Sequence, residues 1–173
     1  GTVYDSGQVK RFAPFEIPPD WTLVLGYDHG SSGRRGGNTA IPLVAYDNEC
    51  PRNAYIVGLI YASGHGVSWY IGEIRKKLLD PKTGLQRKYD MIVVDRSAKQ
   101  VRIELSLERL ANTTPPVADF KARYVRMASL LEEGRLYVFD LPELAPFWYE
   151  IDRYEWKEGT KATEPRGDSV QGP

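Results

Sequence analysis

The chain changes its hydrophobic period at Val67, and this change most constrains its fold. Before that point, three segments rich in Val, Ile, Leu and Tyr are separated by clusters of Gly, Asn and Pro, at Thr22 to Tyr27, Thr39 to Tyr46 and Ala54 to Ser63. Such segments predict an antiparallel meander of strands. Apolar residues then recur at helical spacing, which predicts an amphipathic helix. They are Val67, Tyr70, Ile71, Ile74 and Leu78.

The next part of the chain predicts a buried strand followed by a helix. Met91 to Val94 is a short, wholly apolar run, as expected for a strand that is buried on both faces within a sheet. Ser97 and Gln100 have the spacing of a capping box, so a helix is predicted to begin at Ala98 and to end at about Leu110.

The C-terminal third continues the alternation. An apolar stripe between residues 117 and 131 predicts a helix, and Gly134 is suited to end it as a C-cap. Arg135 to Phe139 predicts a strand, and a last amphipathic segment begins after Asp140. The predicted order is therefore β-β-β-α-β-α-α-β-α.

Prolines mark two further features. Residues 1–20 contain three prolines and show no sustained period, which predicts a tail or an interdomain linker, followed by one domain over residues 21–173. Pro42 lies inside the second strand segment. Because proline cannot donate to a strand ladder, that segment is predicted to be an edge strand or to carry a bulge at Pro42.

Composition limits the class of protein. A chain of 173 residues, 42% hydrophobic and 27% charged, is typical of one soluble globular domain with no transmembrane segment. The lone Cys50 excludes an internal disulfide and a thiolate zinc cluster, and fits an intracellular compartment. Lys and Arg balance Asp and Glu, so any contact with nucleic acid must come from a local patch.

Three aspartates are candidates for a metal site. Asp28 ends the first strand segment and Asp95 ends the run Met91 to Val94, so each carboxylate is placed at a strand end. Asp168 follows a Pro-broken stretch from which a short loop could return it to the other two. Converging carboxylates repel one another unless a cation lies between them. Metal-dependent phosphodiester chemistry is therefore the leading hypothesis.

Three stretches carry a resemblance to a known family. They are GYDHG with NTAIPLVAY, then IVVDRSAK, then the region from FKARYVRMASLLEEGRLYVFD through FWYEIDRYEWKEG to GDSVQ. In this order they resemble the nuclease domain of the phage terminase large subunit, the motor and nuclease that cuts concatemeric viral DNA during head filling. The resemblance covers nearly all of Trp21 to Gln171. With the predicted element order, it implies an α/β, ribonuclease H-like fold: a central mixed sheet, three antiparallel strands then parallel strands, flanked by helices.

The resemblance also implies a metal-dependent endonuclease with Asp28, Asp95 and Asp168 at the family's three acidic positions. Such a site binds two Mg²⁺ or Mn²⁺ ions roughly 4 Å apart. Asp28 is expected to bridge both ions, and Asp95 and Asp168 each to complete the oxygen shell of one. Product ends are expected to carry a 5′ phosphate and a 3′ hydroxyl.

Basic side chains near these acids are candidates for DNA contacts. Arg34 and Arg35 lie in the loop SSGRRGG, and Arg96 and Lys99 follow the second acid. A flexible hairpin tip kept soluble by two arginines is the alternative for Arg34 and Arg35. Salt-bridged surface charge is the default interpretation of Arg96 and Lys99. His29 could position a water or contact a phosphate beside Asp28, or simply lie in a surface turn.

Aromatic residues suggest base stacking, but their helical spacing favours packing against the sheet. They are Trp69, Trp148, Tyr149 and Trp156. His65, between two glycines, is likewise interpreted as structural.

Partners follow from the resemblance. They are double-stranded DNA, an ATPase domain upstream in the same polypeptide, the portal and the small terminase subunit, with no membrane, in the cytoplasm of the infected bacterial host. The motif G-x-x-x-x-G-K-[ST] is absent from the chain. The family's closing motif commonly continues with a second Asp and a short apolar helix, whereas Gly172 and Pro173 follow here.

Other functions remain open. A Holliday-junction resolvase or a transposase of the same fold would use a similar acidic cluster, but such proteins usually have a more basic surface. An actin-like or sugar-kinase ATPase would need phosphate-binding loops and a second copy of the fold. A catalytically inactive docking module of a packaging motor is the alternative from a different class. Metal binding separates these interpretations, because a docking module need not bind a metal and a nuclease must.

Overall fold

The computed structural model describes residues 9–30, 37–94, 98–110, 113–114 and 129–153. The strands in these ranges are β1 (Lys10–Phe12), β2 (Thr22–Tyr27), β3 (Thr39–Tyr46), β4 (Ala54–Ala62), β5 (Met91–Val94), β6 (Thr113–Thr114) and β7 (Leu136–Phe139). The helices are α1 (Val67–Leu78), α2 (Lys99–Leu107) and α3 (Ala145–Arg153), with a 3-10 turn at Pro142–Leu144. Residues 129–132 are the described end of a further helix, which precedes Gly134. None of the helices within these ranges is long and apolar enough to cross a membrane.

The strands form one mixed sheet in the order β1-β7-β4-β3-β2-β5-β6. The neighbours β2, β3 and β4 are antiparallel, whereas β5 runs parallel to β2 and β7 runs parallel to β4. The predicted mixed sheet, three antiparallel strands then parallel strands, is therefore confirmed. β2 and β3 have their predicted bounds, and β4 ends one residue earlier than predicted.

Pro42 does not lie on an edge strand. β3 pairs with β2 on one side and β4 on the other, so the edge-strand alternative is wrong. Directly after Pro42, Leu43 pairs with Gly58 and Val44 with Ile56, so a bulge is present one residue beyond Pro42, but its extra residue lies in β4 rather than in β3. On the other side, the pairs between β2 and β3 stop at Leu25 with Leu43 and resume at Asp28 with Ala40, so Pro42 lies in a gap of that ladder.

The strand β1 corrects the prediction for residues 1–20. Lys10–Phe12 pair in parallel with β7, and Val9 and Ile17 are buried in the core. Described residues 9–20 therefore do not form a detached tail or linker. The three residues of β1 are exposed and lack an apolar period, and their pairing partner lies far along the chain, so no local pattern could indicate this strand. The division of the chain at residue 20 into two functional parts stays a prediction.

Helices α1 and α2 contribute to the core on one side of the sheet. The buried residues of α1 are Tyr70, Ile71, Ile74 and Leu78, and those of α2 are Val101 and Leu105. α1 thus has the predicted face. β5 has one fully buried face rather than the two predicted, since Ile92 and Val94 are buried while Met91 and Val93 are half-buried.

The helix ends follow the sequence in part. Gly134 has φ of +64°, its N–H donates to Leu131 O, and the N–H of Arg135 donates to Leu130 O, so the predicted C-cap is confirmed. Ser97 lies outside the described residues, so the predicted capping box at α2 stays a prediction, and the Gln100 amide donates to Glu104. Residues 115–128, where the preceding helix was predicted to begin, lie outside the described ranges.

Candidate active site

Asp28 is fixed by its backbone at the carboxyl end of a central strand. Its N–H donates to Ala40 O and its carbonyl accepts from Ala40 N–H, both at 2.9 Å, so the β2–β3 ladder closes again beyond Pro42. The residue is half-buried. Asp28 therefore lies at the carboxyl end of β2, held by strand hydrogen bonds rather than on a loop.

The carboxyl end of β5 lies beside that of β2. The two strands are parallel and in register from Val24 with Met91 to Tyr27 with Val94. Asp28 and Asp95 are the residues that follow these two paired ends in the sequence. Asp95 itself lies outside the described residues, so its convergence with Asp28 stays a prediction.

The turn after Asp28 is tightly packed. The N–H of Gly30 donates to Thr39 Oγ1 at 3.0 Å, and Thr39 is buried. A Cβ added to Gly30 would lie 2.4 Å from the carbonyl oxygen of Gly37, so only glycine fits there. The backbone directly beyond Asp28 and His29 is consequently held against the start of β3.

Two buried polar atoms flank Asp28 in sequence without a hydrogen-bond partner. Among the described residues they are Tyr27 Oη and His29 Nδ1, the only buried side-chain polar atoms of this kind. The two rings lie 6.0 Å apart, and each lies near the ring of Tyr70, at 6.2 Å and 6.4 Å. Burial, followed by the proximity of Tyr70 and Glu104, raises the pKa of Tyr27, so its hydroxyl stays protonated. Such unsatisfied groups are rare in folded proteins and often mark functional sites.

The remaining predicted site residues divide into two groups. Lys99 is exposed at the first position of α2, on a shallow surface that Arg102 and Ser106 also line. The others lie outside the described residues, and their roles stay predictions: Arg34, Arg35, Asp95, Arg96 and Asp168. Within the described part of the chain, no group of three His, Cys, Asp or Glu side chains could hold a metal ion.

Asp28 fits the donor chemistry of a magnesium or manganese site. A carboxylate on a rigid, half-buried strand end is a hard oxygen donor, the kind that these cations prefer. Asp95 and Asp168, the other two predicted ligands, lie outside the described residues.

The aromatic side chains depart from the predicted core. Trp69 is 39% exposed, and its ring stacks on His65 with centroids 3.7 Å apart and planes 8° apart. Tyr149 is also exposed, whereas Trp148 packs against the core with Arg11 over its ring. Trp156 lies outside the described residues. The signal for Trp69 was present in the sequence, because this position lies off the buried face of α1.

Comparison with known proteins gives matches only among solved structures. No family model and no curated protein sequence matches the chain. The large terminase nuclease domain of P22 has a TM-score of 0.72 and 16% identity, over 98% of this chain and 85% of that one. The SPP1 g2p (large terminase) nuclease domain with bound Mn has a TM-score of 0.63 and 13% identity, over 94% and 89%.

A longer protein also matches. The large terminase of a thermophilic bacteriophage has a TM-score of 0.71 and 16% identity over 96% of this chain. The chain spans 41% of that protein's length. At these identities the likeness establishes the fold and nothing finer. The chain has the ribonuclease H-like fold of phage large terminase nuclease domains, as its sequence predicted.

Proposed function

We propose that this domain is a metal-dependent DNA endonuclease that cuts concatemeric viral DNA during genome packaging. The observation that carries the proposal is the parallel pairing of β2 and β5, in register through Tyr27 and Val94. It places two strand ends side by side, and each is followed in the sequence by an aspartate. The fold in which this occurs is that of solved phage terminase nuclease domains.

The register supports a shared site for the two acids. Neighbouring strands lie about 4.8 Å apart. If β5 continued for one more residue in the same register, Asp95 would lie opposite Asp28. Two carboxylates at that separation repel each other unless they share a cation. Asp168 is proposed as the third ligand, on the strength of the sequence resemblance alone.

The proposed ligands would bind two Mg²⁺ or Mn²⁺ ions, and bound ions of this kind activate a water and stabilise the departing oxygen. The likeness to the SPP1 domain, whose structure has bound Mn, supports this choice of metal. Two backbone hydrogen bonds to Ala40 fix the backbone of Asp28, so the proposed ligand starts from a fixed position at the carboxyl end of β2.

Basic residues are proposed to hold the DNA backbone. Lys99 is exposed on the helix that follows β5, and Arg34, Arg35 and Arg96 are proposed to act with it. His29 is proposed to orient a water or a phosphate beside Asp28. Backbone contacts position DNA without reading its sequence, so sequence preference is expected to be slight.

Weak affinity of the domain for DNA follows from its net charge of zero. We therefore propose that other components hold the substrate: an ATPase domain in the same polypeptide, the portal and the small terminase subunit, in the cytoplasm of the infected bacterium. The match to only part of the large terminase of the thermophilic phage is consistent with a longer polypeptide.

Cleavage of supercoiled plasmid with Mn²⁺, Mg²⁺ or EDTA tests the proposal. Asp28→Asn removes the negative charge at nearly constant shape, and we expect the nicking rate to fall by about a thousandfold, since a bound metal supplies several kcal/mol of transition-state stabilisation. Asp90→Asn is the matched control. Asp90 lies at the opposite end of β5, where its carboxylate accepts a hydrogen bond from the N–H of Leu23, and asparagine keeps an acceptor there.

Each alternative function has its own outcome in this assay. Absence of cleavage with either metal favours the docking module. Strong preference for branched over linear DNA favours a resolvase. Equal loss of activity in Asp28→Asn and Asp90→Asn would refute a specific role for Asp28.

A further inference from the structure

We propose that the stacked pair His65 and Trp69 is a platform that binds an unpaired DNA base close to the cleavage site. The proposal rests on the proposed nuclease function, because it takes DNA to be the substrate. It assigns a role to two residues that the sequence pattern had indicated to be structural.

The pair has the geometry of a preformed stacking surface. The rings of His65 and Trp69 are nearly parallel, with planes 8° apart and centroids 3.7 Å apart. Both residues are exposed, and 39% of the surface of Trp69 is accessible. An indole that stabilises a core is normally buried, whereas a flat exposed ring offers a face on which any nucleobase can stack.

The pair is connected to the candidate active site by a single ring. The ring of Tyr70 lies 5.0 Å from that of Trp69 and 5.9 Å from that of His65, and it also lies 6.4 Å from the ring of His29, the residue after Asp28. Tyr70 is buried, and its hydroxyl donates to Ala62 O at 3.1 Å, which fixes the ring at the end of β4. These ring contacts reach His29, so the platform lies at the same end of β2 as Asp28.

The electrostatic surroundings fit a nucleotide. The pair lies at the N-terminus of α1, whose first turn contains no acidic residue and whose N-cap, Gly66, provides no side-chain hydrogen bond. The positive end of the helix dipole therefore favours a phosphate beside the stacked base. The preceding loop is open, because a Cβ added to Gly64 or Gly66 would meet no atom within 4 Å.

An unpaired base is the fitting ligand because bases within a duplex are already stacked on one another. A strand opened near the cut would expose such a base. We therefore expect the pair to increase affinity for single-stranded DNA more than for duplex DNA.

Fluorescence anisotropy of a labelled single-stranded oligonucleotide, at low salt in EDTA, tests the proposal. All proteins carry Asp28→Asn, so the readout does not depend on cleavage. We expect Trp69→Ala to weaken binding by about tenfold, in line with the stacking of one base, and Trp69→Phe to weaken it less. Tyr149→Ala is the control, since Tyr149 is an exposed aromatic on α3 and is expected to leave binding unchanged.

A second substitution guards against a folding defect. His65→Ala removes the other ring from an exposed loop and is expected to weaken binding as well, with circular dichroism spectra like that of the parent. Unchanged affinity in both Trp69→Ala and His65→Ala would overturn the proposal, as would equal weakening by Tyr149→Ala or a parent that does not bind. Absence of plasmid cleavage would instead count against the nuclease function and leave this binding result intact.

Discussion

The two ends of the β2 and β5 pair differ in how their polar groups are satisfied. At the amino end, the Asp90 carboxylate accepts from Leu23 N–H at 2.7 Å, and Asp90 N–H donates to Leu23 O at 2.8 Å. At the carboxyl end, Tyr27 Oη and His29 Nδ1 are buried without a partner. Folded proteins pair nearly all their buried polar groups, and the exceptions concentrate at functional sites. The amino end is therefore built for stability, and the carboxyl end is where function is expected.

The same comparison separates two aspartates that sequence alone treats alike. Asp90 directly precedes β5 and Asp28 directly follows β2. The side chain of Asp90 completes the ladder by accepting a backbone N–H. Asp28 is held in the sheet by its backbone, which makes both hydrogen bonds to Ala40. A strand-end aspartate that its backbone already holds in the ladder is the better candidate for chemistry.

The largest expected effect on stability comes from Asp90→Ala. The substitution leaves the N–H of the buried Leu23 without its acceptor, which costs about 2 kcal/mol. In a domain of this size that corresponds to a fall in Tm of roughly 4–8 °C. Differential scanning calorimetry of the parent and Asp90→Ala measures it.

Asp28→Ala is the matched comparison at the other end of the pair. If Asp95 and Asp168 converge on Asp28 as proposed, removing one acid relieves repulsion, and Asp28→Ala is expected to leave the metal-free protein at least as stable as the parent. If Asp28→Ala lowered Tm as much as Asp90→Ala, the distinction between a structural and a functional aspartate would fail.

Local periodicity predicted those parts of the fold whose residues contact an adjacent layer. The alternation in β2 and the spacing of Tyr70, Ile71 and Ile74 predicted the right elements because side-chain burial alone decides them. β1 was missed because pairing with β7, not burial of its own side chains, holds it in the sheet. Pro42 was misjudged as an edge residue because a gap in the ladder between β2 and β3 tolerates it, and that gap depends on the pairing of two strands.

Tyr27→Phe is expected to raise stability, whereas Asp90→Ala is expected to lower it. Tyr27→Phe removes a buried hydroxyl that has no partner and keeps the ring that packs against Tyr70. Stability is expected to rise by about 1 kcal/mol, because an unsatisfied polar group no longer has to be buried. Urea denaturation of the two proteins measures the difference.

A loss of stability in Tyr27→Phe would show that the hydroxyl has a partner in solution, such as a buried water. Thr39→Val provides the contrast nearby. It removes a hydroxyl that does accept a hydrogen bond, from Gly30 N–H, and is expected to destabilise the protein.

The candidate site was predictable only up to the placement of one acid. The apolar run before Asp28 predicted a strand end, and the structure places Asp28 there. Whether distant acids converge depends on the register between strands, and a sequence pattern does not contain that register. The exposed Trp69 was assigned to the core for a related reason: aromatic character indicates burial on average, but the helical face on which a residue lies decides it.

The last prediction concerns the free energy of unfolding at alkaline pH, to which the buried Tyr27 is expected to contribute. Burial raises the pKa of Tyr27 in the folded protein, while an unfolded tyrosine ionises near its ordinary pKa of about 10. Above that pH the unfolded chain has released a proton that the folded protein keeps, so the free energy of unfolding falls as pH rises. This contribution is fully present below about pH 10.

Tyr27→Phe removes the part of the alkaline fall in the free energy of unfolding that comes from Tyr27. Relative to its value at pH 8, the stability of the parent is expected to fall by about 0.8 kcal/mol more than that of Tyr27→Phe at pH 10.5. Urea denaturation at the two pH values measures it. Parallel pH profiles for the parent and Tyr27→Phe would mean that Tyr27 ionises as readily folded as unfolded. The Tyr27 hydroxyl would then not be buried without a partner, and the contrast between the two ends would lose its physical basis.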